Sequence, residues 1–140
     1  MAAGEDFSLF SCRNARSGAA EVWGCGSALR GQVPLGFTRH LTNFIKVENL
    51  SEFTVHDAAG AEVNVTHSAL TCGRAHCLSL LSTGALLVWG DNEWGQIGNK
   101  RRSFADAPLL ATPFKHARVL AARASHNSNF ALVEEPAGPP

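Results

Sequence analysis

The stretch CGRAHCLSLLSTGALLVWGDNEWGQIG, at residues 72–98, decides the fold. Apolar and polar residues alternate from Cys77 to Leu80, which is the period of two that a β-strand shows. A Ser-Thr-Gly turn signal follows at residues 82–84. A second apolar run then ends at Trp89 and Gly90. The stretch therefore predicts a β-hairpin followed by a glycine-rich loop.

The same pattern recurs earlier in the chain, in GAAEVWGCGSALRGQVPLG at residues 18–36. Its Val-Trp-Gly aligns with that of residues 88–90, and two inserted residues later Gly-Gln aligns with Gly-Gln. Other aligned pairs are Gly4 with Gly73, Phe7 with His76, and, in a degenerate third copy, Phe130 and Leu132 with Leu78 and Leu80. A repeat of about 50–60 residues favours a propeller or an array over an enzyme fold.

Two further segments can be interpreted from their turn residues. Residues 53–65 predict another hairpin that turns at Ala59 and Gly60. Residues 104–114 contain Pro108 and Pro113, and we expect a loop that crosses between sheets, because proline lacks the N–H that a helix or sheet needs.

The repeated motif resembles the repeat of the regulator of chromosome condensation family. The resemblance rests on Cys-Gly-x-x-His-x-Leu-x-Leu from residue 72, Gly-x-Leu-x-x-Trp-Gly from residue 84 and Gly-Gln-x-Gly from residue 95, and it covers about two thirds of the chain. It implies an all-β, partial β-propeller of two to three blades, each an antiparallel four-stranded sheet, in an incomplete ring. The expected copies lie near residues 2–36, 69–98 and 119–135 of a domain at 1–135, with a tail at 136–140. The chain resembles a C-terminal part of a family member.

The resemblance also implies scaffold roles for the repeated residues. We expect the glycines to permit tight backbone geometry, Trp23 and Trp89 to fill the space between blades, and glutamine to satisfy buried backbone groups. The expected repeat core consists of Gly4, Trp23, Gly24, Gly31, Gln32, Gly73, His76, Trp89, Gly90, Gly95 and Gln96.

Composition limits the possible classes of protein. Of 140 residues, 45% are hydrophobic and 17% charged, which is typical of a packed domain rather than disorder. The zero formal net charge argues against a whole-protein field that attracts nucleic acid. The sequence shows neither a secretory signal nor an apolar run long enough to cross a membrane. An intracellular, non-secreted protein with free thiols at its four cysteines is therefore expected.

The cysteine and histidine pattern does not predict a metal site. Cys72, His76 and Cys77 lack the usual spacing of zinc ligands. If they lay on one strand, Cys72 and His76 would share a face and Cys77 would point away. We expect no metal, no cofactor and no disulfide, and since no acid, base and nucleophile converge in the pattern, no enzyme.

Two short segments are candidates for partner binding. The first consists of Asp91, Asn92, Glu93 and Trp94, and the second is the cationic run of Lys100, Arg101 and Arg102. Trp94 has no counterpart in the first copy, so it is either a contact residue or part of a local core. The run at 100–102 either touches phosphate or an acidic partner, or is a solvated loop.

The functional hypothesis is a non-catalytic protein–protein interaction module, a subunit or scaffold piece of a larger assembly. A partner chain that supplies the missing blades is one expected form of that assembly. The first alternative is a regulator of a small GTPase. The second is an RNA-associated subunit that uses the basic segment at 99–123, within a C-terminal region, 99–140, that carries six Lys/Arg against three Asp/Glu.

Overall fold

A computed structural model describes residues 1–51, 53–56, 58–114 and 117–134. The expected tail at 136–140 lies outside the described residues. In chain order the strands are β1 Ala2–Ala3, β2 Phe7–Arg13, β3 Ala20–Ser27, β4 His40–Lys46, β5 Thr54–His56, β6 Glu62–Asn64, β7 His67–Cys72, β8 His76–Leu81, β9 Leu86–Gly90, β10 Ala105–Leu110, β11 Arg118–Ser125 and β12 Ser128–Glu134. The described part contains no α-helix and one 3-10 turn at Thr112–Phe114.

The strands form successive antiparallel sheets of the kind that make propeller blades. Sheet 1 has the order β1-β2-β3-β4, and sheet 2 has the order β7-β8-β9-β10. Strands β11 and β12 form a third, two-stranded sheet, and β5 pairs with β6 between sheets 1 and 2. The all-β fold of four-stranded antiparallel sheets in an unclosed ring confirms the expected fold class.

Two apolar cores join the sheets. The first lies between sheets 1 and 2 and includes Leu9, Val22, Leu87 and the fully buried Trp89. The second lies between sheet 2 and the third sheet and includes Leu78, Val88, Val119 and Ala122. Alternate residues of β8 and β9 enter different cores, because successive strand residues point to opposite faces of a sheet.

The register of the hairpins corrects the alignment of the first two repeats. Phe7 pairs with Gly26 in sheet 1, and His76 pairs with Gly90 in sheet 2. Gly26 (φ 95°) and Gly90 (φ 102°) share a left-handed backbone conformation. The structural equivalent of Gly90 is thus Gly26, not Gly24. The β2–β3 connection is longer than the β8–β9 connection, and this difference shifts the Val-Trp-Gly match by two residues.

A constant offset of 64 between β3 and β9 also removes the two-residue insertion, since 90 − 26 and 96 − 32 are both 64. Trp23 corresponds to Leu87 and Cys25 to Trp89. The two tryptophans therefore do not occupy the same site, and only Trp89 lies between sheets. Trp23 is half-buried, and its indole N–H donates to Glu21 at 2.9 Å.

The proline-containing segment at 104–114 is not only a loop. Its residues Ala105–Leu110 form β10, which pairs with β9. Pro108 is accommodated because β10 is the edge strand of sheet 2 and its register shifts between Ala105 and Leu109. The hairpin predicted at 53–65 is confirmed by the antiparallel pairing of β5 and β6.

Candidate functional site

The turns that begin β2 and β8 and connect β11 to β12 link the sheets through their backbones. The N–H of Glu5 donates to the carbonyl oxygen of Arg74 at 3.0 Å, and the N–H of Arg74 donates to that of His126 at 2.8 Å. Each turn therefore donates to the corresponding turn of the next sheet. The Arg74 guanidinium also contacts the Glu5 carboxylate at 2.6 Å. These bonds hold the loops at this end of the sheets in fixed relative positions.

The loop after β9 is built around Asn92. Its amide donates to the carbonyl oxygens of Arg101 at 2.9 Å and Ser103 at 3.1 Å, and its Oδ1 accepts from the N–H of Ile97 at 3.0 Å. The Asn92 side chain is fully buried. The expectation that Asn92 contacts a partner does not fit this position of its side chain, because its amide is committed to holding the loop.

The glutamine of each Gly-Gln pair shapes its own turn. Oε1 of Gln96 accepts from the N–H of Trp94 at 2.9 Å, as Oε1 of Gln32 accepts from the N–H of Arg30 at 2.8 Å. The main-chain oxygen of Gln32 also accepts from the indole of Trp89 at 2.9 Å. Arg30 is thus the counterpart of Trp94 in the first sheet, which the misaligned repeat concealed.

The remaining repeat glycines lie at close approaches or turns. A side chain on Gly4 would meet the ring of Phe7, and one on Gly73 would meet the ring of His76, so the two positions are equivalent. Gly24 faces Leu9 and Val33, Gly31 faces the backbone of Ala105, and Gly95 faces open space at a turn.

Charged side chains from both sheets border a cleft of about 360 Å³, here called the loop-face cleft. Arg30 contacts Asp91 at 3.3 Å and Glu93 at 3.0 Å. The hydrogen bond with Glu93, followed by the charge of Asp91, raises the pKa of the Arg30 guanidinium. Asp91 itself is buried, whereas Glu93 is exposed. Of the predicted contact residues, the cleft therefore brings together Asp91, Glu93 and Trp94.

Trp94 stands at the rim of this cleft with 70% of its surface exposed. The alternative of a local core role for Trp94 is therefore wrong. An exposed tryptophan beside fixed charges is the type of residue that dominates the energy of protein interfaces.

The cationic run lies elsewhere on the surface. Lys100, Arg101 and Arg102 are exposed, and Lys100 has a positive φ of 62°. Lys100 and Arg101 line a different cleft together with Leu109 and Leu110. Exposed side chains of the two predicted contact segments therefore line different clefts, although the buried Asn92 of the first segment donates to the carbonyl oxygen of Arg101 in the second.

Sheet 1 has an apolar face that no sheet of the described chain covers, here called the rear flank. It carries Phe10, Trp23 and Phe44, and the rings of Phe10 and Phe44 meet edge to face with centroids 5.2 Å apart. Phe44 is 54% exposed. The equivalent face of sheet 2, with Leu87 and Trp89, packs against sheet 1.

Strand β12 has the opposite exposed face, here called the forward flank. Phe130 and Leu132 are 66% and 62% exposed, whereas Leu78, at the position equivalent to Phe130, is 2% exposed. Among the described residues β12 pairs with β11 alone, whereas β8 has a strand on each side. The alignment of Phe130 with Leu78 was available from the sequence, but the exposure of Phe130 in the described part of the chain was not.

The cysteine and histidine pattern is arranged differently from the expectation. Cys72 and Cys77 are direct cross-strand partners whose sulfurs lie 2.7 Å apart. His76 points to the other core, where its Nε2 lies 2.6 Å from Oδ1 of Asn129. The expectation that Cys77 points away from Cys72 was wrong. It assumed one continuous strand, whereas the chain reverses at residues 73–75 and the two cysteines lie on neighbouring strands. In the part of the chain that the structure describes, no three His, Cys, Asp or Glu side chains form a group that could hold a metal.

Residues 68–96 match the family model of the regulator of chromosome condensation (RCC1) repeat. Human protein RCC2 is 34% identical over 78 residues, which are 56% of this chain and 13% of RCC2. The human E3 ubiquitin-protein ligase HERC2 is 28% identical over 128 residues, which are 89% of this chain and 2% of the ligase. The chain thus spans only a small part of these relatives.

Solved structures show the same fold. Human WBSCR16 superposes with a TM-score of 0.62 and 26% identity, covering 89% of this chain and 27% of that one. Prp20p of Saccharomyces cerevisiae, whose structure was described with its binding properties to Gsp1p and histones, superposes with a TM-score of 0.59 and 19% identity over 94% of this chain and 29% of Prp20p. No helix in the described residues has the length and apolar character to span a membrane.

Proposed function

We propose that the chain, whose residues 68–96 match the regulator of chromosome condensation repeat, acts as a non-catalytic protein-interaction module within a larger assembly. The observation that carries this proposal is the forward flank. Phe130 and Leu132 are exposed at positions whose equivalents in sheet 2 lie against a neighbouring sheet. Contiguous exposed apolar residues on a folded protein mark interaction or aggregation sites.

The partner proposed for the forward flank supplies β-strands. Strand β12 offers a sheet edge, and such an edge pairs with an added strand through main-chain hydrogen bonds. The proposed sequence pattern of the added strand is taken from sheet 2. The strand that occupies the equivalent position beside β8 is β9, LLVWG, which places alternate apolar side chains on both faces. The proposed partner therefore contributes a β9-like strand, as a chain that supplies propeller blades would.

The loop-face cleft provides a second proposed contact. Trp94 projects from a loop that Asn92 and Gln96 hold in place, so the loop backbone loses little conformational freedom when a partner covers it. The cleft lies at the loop end of the sheets rather than on a flank. A partner could therefore occupy it while the forward flank is covered.

The compartment that we propose is intracellular, which fits four free thiols.

Self-association of the isolated chain tests the forward flank. We expect wild-type chain to form oligomers or aggregates in light scattering, and the double variant Phe130→Glu, Leu132→Glu to be shifted toward monomer. Trp94→Glu is the control for a single added charge, because it places one glutamate at an aromatic residue of similar exposure away from the flank. A wild-type chain that stays a monodisperse monomer at every concentration tested, with a sharp, cooperative thermal transition, would refute the proposal.

Binding of a strand in trans tests the nature of the partner. A labelled peptide with the sequence of residues 84–111, which contains β9 and β10, should bind the wild-type chain and lose at least about tenfold in affinity to the Phe130→Glu, Leu132→Glu variant. Equal binding to both would mean that the peptide does not pair at β12.

Purification of a native complex, followed by mass spectrometry, identifies the partner. If the partner is RNA and its affinity falls steeply with salt, the RNA-associated alternative is favoured. If the partner is a small GTPase and the chain accelerates its nucleotide release, the GTPase-regulator alternative is favoured.

A further inference from the structure

Cys72 and Cys77 form a pair unlike the other two cysteines. They are direct partners across the β7–β8 hairpin, and their sulfurs are 2.7 Å apart. Directly opposed residues of antiparallel strands have Cα atoms about 4.5–5.5 Å apart, which lies within the range that a disulfide spans. Cys12 and Cys25 instead face Glu21 and Ser8 across their strands. Only the first pair can therefore be joined without backbone movement.

The two thiols differ in their access to solvent. Cys77 is fully buried beside Trp89 in the core between sheets 1 and 2, and burial raises the pKa of its thiol. Cys72 is half-buried and lines an open cleft together with Arg74 and His126. Cys72 is therefore the more accessible of the two thiols, and a small oxidant would meet it before Cys77. The arrangement provides one accessible thiol and one protected thiol within bonding distance.

We infer that Cys72 and Cys77 are a site of reversible oxidation whose substrate class is a hydroperoxide. The Cys72 thiolate attacks hydrogen peroxide, the O–O bond breaks, and Cys72 becomes a sulfenic acid while hydroxide leaves. The Cys77 sulfur then attacks the sulfenic sulfur. An S–S bond forms, the S–O bond breaks, and the oxygen leaves as water with the Cys77 proton. Two thiols are oxidised, and one peroxide is reduced to two waters.

The oxidation would act on the loop end of the sheets. Cys72 directly precedes Gly73 and Arg74, and the Arg74 turn joins the three sheets through its hydrogen bonds with Glu5 and His126. A covalent link at the base of this turn ties its two strands together. Oxidation therefore modifies the segment that holds neighbouring sheets in place. This inference does not depend on which partner covers either flank.

The test uses the full chain with Cys12→Ser and Cys25→Ser, so that only the pair remains. After limited hydrogen peroxide, we expect an intact mass lower by about 2 Da, loss of both thiols under denaturing conditions, and recovery with dithiothreitol. Because Arg74 lies between the two cysteines, trypsin should release two peptides that stay joined until reduction.

Two further variants of that background identify the roles. Cys77→Ser should gain about 16 Da as a sulfenic acid that dimedone captures at Cys72, and Cys72→Ser should stay unmodified while folded. The inference is overturned if the peroxide-treated pair gains oxygen without losing about 2 Da, stays fully reduced, or cross-links two chains. It is also overturned if Cys72→Ser reacts as fast as Cys77→Ser. Far-UV circular dichroism of each variant shows that the folded chain was tested.

Discussion

Replacement of Trp89 by alanine should remove much of the contact between sheets 1 and 2. The side chain is completely buried, and its indole N–H donates to the main-chain oxygen of Gln32 at 2.9 Å. A buried aromatic side chain covers roughly 150–250 Å², which at about 25 cal/mol per Å² corresponds to about 4–6 kcal/mol as an upper value. Measured losses for such truncations are about 3–5 kcal/mol, and this is the loss that we expect in the free energy of unfolding.

Urea unfolding followed by far-UV circular dichroism measures this loss, at a concentration where light scattering shows monomer. Trp89→Phe separates the two contributions, because it keeps a ring in the site and removes only the indole N–H and part of the volume. We expect it to cost about 1–3 kcal/mol. The matched control is Trp94→Ala, which removes the same side chain from a 70% exposed position and should change stability by no more than about 0.5 kcal/mol.

The order of the three variants in unfolding free energy decides whether Trp89 holds the two sheets together. If Trp89→Ala unfolds at the same urea concentration as Trp94→Ala, the indole does not hold the two sheets together. The assignment of Trp89 to the space between blades would then be refuted. If Trp89→Phe is as damaging as Trp89→Ala, the hydrogen bond to Gln32, rather than the apolar area, carries the effect.

Three further predictions concern the backbone, a buried ring and pH. In urea unfolding, Gly90→Ala should lower the free energy of unfolding by about 1–3 kcal/mol more than Gly60→Ala does. Both glycines have positive φ, but of the two only Gly90 would place an added Cβ against a carbonyl oxygen, at 2.6 Å. Equal losses would contradict this. His76→Phe should melt at a higher temperature than His76→Ala, since Phe7 fills the equivalent site and His76 Nδ1 has no hydrogen-bond partner in the described structure; the reverse order would count against the equivalence. Burial lowers the pKa of both His67 and His76 below 6.5, so the unfolded state takes up protons first and thermal stability should fall as pH drops below about 6.5; a flat profile between pH 7 and 5.5 would contradict this, because it would mean that folded and unfolded chains take up the same number of protons.

The sequence predicts the sheet architecture because the alternation and the turn signals are local. A hairpin such as β8–β9 is specified by its own residues. The two-residue error in aligning Trp23 with Trp89 arose because a shared Val-Trp-Gly string outweighed the length of the preceding turn. Only the hydrogen-bonded register shows that Phe7 pairs with Gly26 as His76 pairs with Gly90.

The candidate site was less predictable, because exposure depends on contacts between distant segments. Asn92 and Trp94 are two residues apart, and the sequence offered both as candidates for partner contact. One is fully buried by bonds to the backbone at 101 and 103, and the other projects into solvent. Likewise, Pro108 argued against a strand, but an edge position tolerates proline, and edge positions are known only once neighbours are known.

The hydrogen bonds from Glu5 to Arg74 and from Arg74 to His126 all run in one direction along the chain of sheets. The array therefore has a polarity, like a filament with a head and a tail. Two copies that met through the same flank would oppose like with like, whereas a head-to-tail contact repeats the existing geometry. Growth of that kind has no built-in end unless the rotation closes a ring or a different chain caps it. An isolated chain should thus give a ladder of oligomers rather than a discrete two-fold dimer, and the partner that we propose would end that ladder.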